Sequence, residues 1–296
     1  MRSEADTLSR FVFEGAAVRG ARVHLEHTSR AMLGSHDYPP ALARVLAELS
    51  GAALLLAAAL KFDGSLILQL VGSGPVRLIV VECNPGLALR GTAQWNADAR
   101  IPDDATLFTL AGREDARLTI TLDPREAGPM YQGIVSLEAA SVATMIEHYL
   151  ATSEQLASKL ALDVVDGEVV GLLLQRMPAS GQEDDATWQR VTAALTKATR
   201  DELSAAATSD AGLAALFSTD DVRVFKPSEP RYRCTCSRSR VEGALRIAGR
   251  GEIEAALAQD GEVDVTCEFC GMHYTFTPSE ARTVFALPAS GASMPH

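Results

Sequence analysis

Four of the five cysteines in this chain fall into two tight pairs, Cys234-Thr235-Cys236 and Cys267-Glu268-Phe269-Cys270, with thirty residues between them. Two close thiol pairs brought together by a folded loop supply four sulfurs in a tetrahedron, which is the geometry of a structural zinc site. The spacing therefore predicts one zinc ion per chain in the reduced form, held by Cys234, Cys236, Cys267 and Cys270. Gly271, directly after the second pair, permits the tight turn of a zinc knuckle. Four unrelated core cysteines rarely divide into two such pairs.

The same sulfurs can do redox chemistry. A disulfide across Cys234-Thr235-Cys236 closes a small, strained ring, and strained disulfides are the labile, oxidising ones. Cys267 and Cys270 have the spacing of a thiol–disulfide redox motif, which closes more comfortably. A site built of two vicinal pairs can lose its metal by forming two local disulfides. That chemistry suits a redox switch as well as a passive staple.

The surroundings narrow the choice. Arg231, Arg233, Arg238 and Arg240 flank the first pair, yet residues 231–276 hold six arginines against seven acids. A nucleic-acid-binding ribbon would show a clear positive excess. Solvated arginines that balance a four-thiolate site, formally −2 with its zinc, are the better reading. His273, three residues after Cys270, is a surplus ligand at most. His24, His27 and His36 lack a carboxylate or cysteine at motif spacing and read as surface or half-buried side chains. Gly72-Ser73-Gly74-Pro75 lacks the third glycine of a phosphate loop and reads as a hairpin turn. Cys83 stands alone at a strand end and reads as buried filler.

Composition excludes further classes. The chain of 296 residues carries 27 Lys plus Arg against 38 Asp plus Glu, a net charge of −11, so it is a poor non-specific binder of nucleic acid or anionic membrane. Five cysteines are too few for a disulfide-stapled secreted scaffold of this size. The start, Met1 to Phe13, carries Glu4 and Asp6 and no signal-peptide run. The most apolar stretch, Leu49 to Leu60, is shorter than the roughly 18 residues of a membrane span and reads as a core helix. On these features the protein is expected in the reducing cytoplasm, with neither nucleic acid nor membrane as partner.

The elements that must position the cysteines follow. Pro39-Pro40 opens a helical pattern running to about Lys61, because proline suits the first turn. Ser65–Val71, Val76–Val81, Leu87–Trp95 and Arg117–Leu122 are β-branched and aliphatic runs bounded by Gly, Pro, Asn and Asp, and read as strands. Helical patterns follow at about Leu137–Leu150 and from near Ser153-Glu154. Leu160 to Gln175 reads as a hairpin turning at Asp166-Gly167. Mixed strands and helices indicate an α+β (mixed α/β) domain over residues 1–178.

Residues 179–230 differ, with five basic against nine acidic side chains. The segment opens on the polar Gly181-Gln182-Glu183-Asp184-Asp185. Trp188, Val191, Leu195 and Ala198 then recur at helical spacing as a narrow apolar stripe. Such helices are marginal unless docked, so the segment is expected to be a metastable helical linker. Residues 231–296 are expected to form a small zinc-binding redox-switch domain. Its core is thin: Val241, Leu245, Ile247, Ile253, Leu257, Val263, Val265, Phe269, Tyr274 and Phe276. A domain of that size often needs a metal to stay folded.

From the residues alone, three functions compete. They are a protein switched by redox chemistry at its two cysteine pairs, an adaptor binding nucleic acid or protein with a permanent structural zinc, and an enzyme sited in the first domain. No triad, Walker motif or acid/base pair appears for the third, and the expectation is a protein that is not an enzyme.

The cysteine pattern, written Cys234-Thr235-Cys236-Ser237-Arg238 and Cys267-Glu268-Phe269-Cys270, resembles that of the bacterial redox-regulated heat-shock holdases, the 33 kDa chaperonin family. Tyr38-Pro39-Pro40, Tyr131-Gln132-Gly133-Ile134-Val135, Ser153-Glu154-Gln155-Leu156 and Leu172-Leu173-Leu174-Gln175 support the resemblance over nearly the whole chain. Cys83 matches no functional position of that family. The resemblance implies an ATP-independent chaperone, zinc-bound and inactive when reduced. It implies that oxidants link Cys267 to Cys270 and then Cys234 to Cys236, that zinc is released, and that the small domain and linker lose their structure. Activated chains then form a homodimer and hold unfolding client proteins against aggregation under oxidative stress.

Overall fold

Residues 6–60, 62–112, 115–124, 128–137, 141–178 and 182–285 are described in a computed structural model of the chain. The order begins β1 (Thr7–Phe13), β2 (Val18–Leu25), α1 (His27–Leu33), α2 (Pro40–Ala59), β3 (Gly64–Val71), β4 (Val76–Cys83) and β5 (Ala88–Trp95). It continues α3 (Leu107–Ala111), β6 (Arg117–Pro124), β7 (Tyr131–Ser136), α4 (Val142–Thr152), β8 (Ser158–Val165) and β9 (Glu168–Arg176). Next come α5 (Gln182–Lys197), α6 (Arg200–Thr208), α7 (Asp210–Leu216), β10 (Val222–Val224) and β11 (Arg231–Tyr232). The chain then forms α8 (Arg238–Ala248), α9 (Arg250–Asp260), β12 (Val263–Thr266), β13 (His273–Phe276) and α10 (Pro278–Thr283). Contacts divide it into two units, residues 1–233 and 234–296.

In the first unit the four expected strands, β3, β4, β5 and β6, lie in a six-stranded sheet ordered β11-β5-β4-β3-β6-β7, whose outer strands β11 and β7 were not expected; it is antiparallel except for β11 beside β5. A second sheet, β10-β1-β2-β9-β8, is antiparallel throughout. The expected hairpin is β8–β9, with Asp166 and Gly167 both at positive φ, as a two-residue turn of that hand requires. Helix α2 starts at Pro40 and packs against strands of both sheets, burying Leu42, Leu46, Leu49 and Leu56 completely or nearly so. By length and hydropathy α2 could cross a membrane, but most of it is buried inside this unit. It ends at Ala59, and Lys61, where the expected pattern ran out, lies outside the described residues. At Gly51 a Cβ would stand 2.8 Å from Val169 Cγ1, so the helix lies almost directly on β9.

The five-stranded sheet is buried on both faces. One face, with Val23, Leu25, Val169 and Leu173, packs under α2. The other, with Phe11, Phe13, Val18, Val170, Leu172 and Leu174, is covered by Val191, Leu195, Leu203, Leu213 and Phe217 of the helical stretch after residue 181. Burial on two faces explains why β9 reads as a continuous apolar run instead of an alternating one. The segment set apart as a linker from sequence thus supplies three helices that pack with the first unit. Gly181 lies outside the described residues, and the helix begins at Gln182.

The second unit is smaller. Val241, Leu245, Ile253, Leu257, Val263, Phe276, Ala281 and Val284 form its core. Ile247, expected there, is 77% exposed, because the helical period of α8 turns it away from the face carrying Val241 and Leu245. Val265 and Tyr274 pack on the cluster from its margin. Ser237 caps α8, and a reciprocal Thr277–Glu280 capping box starts α10.

Candidate metal and redox centre

The cysteines sit on two short segments held by regular elements of the second unit. Cys234 and Cys236 lie just before α8, whose cap at Ser237 fixes where the chain enters the helix. Cys267 and Cys270 lie in the connection between β12 and β13, which pair from Val263↔Phe276 to Thr266↔His273. Cys267 N–H donates to the Met272 carbonyl at 2.9 Å and Gly271 N–H donates to the Cys267 carbonyl at 2.8 Å. Gly271 has φ +68°, the left-handed conformation expected of it at the end of the knuckle.

This folding brings all four sulfurs within 4.8 Å of one another. Cys234 Sγ lies 3.7 Å from Cys267 Sγ, and Cys236 Sγ lies 3.5 Å from Cys270 Sγ. All five cysteines are free thiols. Metal–sulfur bonds of about 2.3 Å in a tetrahedron place the sulfurs about 3.8 Å apart, so this cluster has the dimensions of a four-thiolate metal site. The four cysteines can hold a metal ion.

Hydrogen bonds make the sulfurs unequal. Tyr274 Oη donates to Cys236 Sγ at 3.1 Å, and this bond is the main reason the Cys236 thiol is lowered to about 7. The same bond pushes the Tyr274 phenol up to about 12. Burial raises Cys234 and Cys270 above the ordinary thiol value. Cys236 N–H also points to Cys234 Sγ at 3.5 Å. Tyr274 was expected only as core, since its role depends on the β12–β13 register, which no local spacing reveals.

Two of the four flanking arginines bind neighbours through their side chains. Arg238 donates to Glu280 and to the Thr275 carbonyl and lies over the Phe276 ring, while Arg240 reaches Thr235 Oγ1. His273 pairs with Asp264 at 3.0 Å and is not one of the clustered ligands. His24 is more buried than expected and meets Glu168 of β9 at 2.9 Å, a partner supplied across the sheet and invisible at motif spacing. Cys83 is 1% exposed in β4, and burial pushes its thiol up to about 12. Of the apolar stripe, Val191 and Leu195 are buried on the five-stranded sheet and Trp188 packs half-buried at its edge. Their counterparts Phe11, Phe13 and Phe217 form a ring cluster with centroids 5.1–6.3 Å apart, which the sequence reading missed.

Comparison with known proteins agrees with this architecture. The profile of the family described as Hsp33 protein matches residues 6–277. The 33 kDa chaperonin of Chromobacterium violaceum is 40% identical over 281 residues, covering 95% of this chain and 94% of that protein. The 33 kDa chaperonin of Aeromonas salmonicida is 39% identical over 288 residues, covering 96% of each. The crystal structure of the 33 kDa chaperonin of Thermotoga maritima superposes with a TM-score of 0.78 at 20% identity, covering 95% of this chain and 98% of that one, and shares the fold. With a family profile along almost its entire length and relatives near 40% identity end to end, the chain belongs to the Hsp33 family of chaperones.

Proposed function

We propose that this protein is a redox-regulated, ATP-independent holdase that is silent while reduced and zinc-bound. The observation that carries the reading is the four-sulfur cluster, assembled from two vicinal pairs in a unit with a small core. Cys234, Cys236, Cys267 and Cys270 would hold one zinc ion, which supplies the cross-link between the segment before α8 and the β12–β13 knuckle. Structural zinc contributes about 10–16 kcal/mol of apparent free energy in small domains. Whole domains are stable by only about 5–15 kcal/mol. Loss of the ligand set should therefore unfold residues 234–285.

Each disulfide forms when two thiols give up two electrons and two protons. Peroxide accepts them, its O–O bond breaks, and two waters result. Cys267 and Cys270 react first and Cys234 and Cys236 second, because the longer spacing closes with less strain. Once the sulfurs are paired with each other they no longer serve as metal ligands.

The second half of the reading concerns α5–α7. These helices cover Phe11, Phe13, Val18, Val170, Leu172 and Leu174, so their departure would bare a continuous apolar sheet face while α2 still buries the opposite one. That face, together with the freed Trp188, Val191 and Leu195, suits unfolding client proteins and the pairing of two activated chains into a homodimer. A chaperone of this kind would act in the cytoplasm without turning over a substrate. Treatment with peroxide and mild warmth tests the reading. A holdase releases its zinc and gains two disulfides, whereas an adaptor with a permanent structural zinc keeps both metal and thiols.

A further inference from the structure

Strand β1, the end of α2 and the segment just after β10 line two adjoining open clefts of about 350 and 360 Å³. Ala57, Ala58, Arg10 and Phe225 border both, Arg19 and Phe62 border the first, and Lys226 borders the second. No carboxylate lines either one among the described residues, although the chain carries a net charge of −11. Volumes of this size with apolar walls and a few convergent polar groups are typical of small-molecule sites.

Among the described residues no carboxylate pairs with the cations there. Arg10 faces Ala21 across the β1–β2 ladder and Val12 faces Arg19, so the two arginines are diagonal neighbours on one sheet face. Like charges so placed oppose each other. Arg19 uses Nε and Nη2 on Gln175 Oε1, at 3.0 and 2.8 Å, and Nη2 on the Ala59 carbonyl at 2.8 Å, which anchors it at the C-terminal end of α2. Burial, and after it the charge of Arg10, pulls the Arg19 pKa below its ordinary value. The Arg10 guanidinium and the Lys226 ammonium have no hydrogen bond or ion pair among the described residues.

We propose that this cleft binds a small organic anion, a carboxylate or phosphate monoester on a short apolar body. The head lies between Arg10 and Arg19, and the body lies against Ala57, Ala58, Phe62 and Phe225. The site also touches the switch. Phe225 N–H donates to the Arg10 carbonyl at 2.9 Å, and Ser228 pairs with Leu8, so the segment carrying Phe225 and Lys226 is an edge laid on β1. A ligand that contacts this edge and α2 together favours the docked arrangement, because anything bound only to one state stabilises it. That consequence rests on the proposed activation mechanism; binding itself does not.

Calorimetric titration of the full-length reduced protein with octanoate, octyl phosphate, inorganic phosphate and 1-octanol tests the site without reference to chaperone activity. Saturable one-to-one binding of octanoate or octyl phosphate is expected, with the tighter of the two identifying the head group. Arg10→Glu should weaken it about tenfold or more, as expected for loss of a charge-assisted hydrogen bond, and Arg10→Lys should keep most of it. The exposed Arg10 side chain makes a folding defect avoidable, and Phe225→Ala supplies a second variant that should also weaken binding. The proposal is overturned if octanol or inorganic phosphate binds as tightly as the amphiphilic anions, if Arg10→Glu binds normally, or if nothing saturates in the millimolar range. Proteolysis within residues 222–228 during peroxide treatment should slow with the anion bound, and an unchanged rate would overturn the coupling to the switch.

Discussion

The Tyr274 hydroxyl donates to Cys236 Sγ at 3.1 Å, from a strand position that faces Val265 across the β12–β13 pair. A sulfur that accepts a hydrogen bond is held in place as a thiolate ligand, and outer partners of this kind tune metal sites. Tyr274→Phe keeps the ring packing and removes only the donor. Zinc affinity, measured by competition with a chromophoric chelator, is expected to fall about 10–100-fold. Unchanged affinity would show that the bond does not orient the ligand.

Removing single sulfurs tests the ligand set. Cys267→Ser or Cys236→Ser should lose stoichiometric zinc, whereas Cys83→Ser, deep in β4, should retain it. Metal analysis of the purified reduced variants decides. Tight one-to-one zinc in Cys267→Ser would sink the four-thiolate assignment.

Order of oxidation is a separate matter. The Cys267–Cys270 disulfide is expected before Cys234–Cys236, since the shorter pair closes the more strained ring. Peptide mass spectrometry after brief peroxide exposure locates the first bridge. Early appearance of Cys234–Cys236 alone would refute the strain argument.

Leu195 is 3% exposed on the five-stranded sheet, so Leu195→Asp places an unpaired charge in an apolar contact. The covering helices should loosen while residues 6–178 stay folded. Increased hydrogen exchange across 182–224 and partial chaperone activity without oxidant are expected. A variant that loosens there yet suppresses no aggregation would separate the helices from activation.

Glu48 in α2 gives a pH dependence. Burial raises its carboxyl from 4.5 to about 7, with Arg44 opposing and Asp163 adding to the shift. The folded form thus binds the proton more tightly than the unfolded chain, so stability falls as pH rises from about 4.5 and levels off above about 7. Glu48→Gln should stabilise the reduced protein relative to the parent at pH 8, by up to about 3 kcal/mol, and show little of that gain near pH 4. Urea unfolding at the two pH values measures it, and an equal effect at both would contradict the assignment.

The cysteine site was legible because each pair is local and the chemistry demands one residue type. The β8–β9 hairpin was legible for a similar reason: Asp166-Gly167 fixes its turn. Strands β1 and β2 were not, since Arg22 and His24 interrupt their apolar pattern. Each is accommodated by a distant acid, Arg22 by Asp210 of α7 and His24 by Glu168 of β9. The apolar stripe of Trp188, Val191 and Leu195 was visible, but its partners Phe11, Phe13 and Phe217 come from remote segments. Tyr274 and the arginine cleft depend on strand register and packing, which no window of sequence contains.

Thiol oxidation is expected to switch on client holding. Aggregation of a thermally unfolding model client, followed by light scattering with reduced and oxidised protein side by side, tests it most directly. No suppression is expected from the reduced zinc-bound protein, and strong suppression at near-stoichiometric amounts once both disulfides have formed, without ATP. Equal suppression by both forms, or none by the oxidised form, would contradict it.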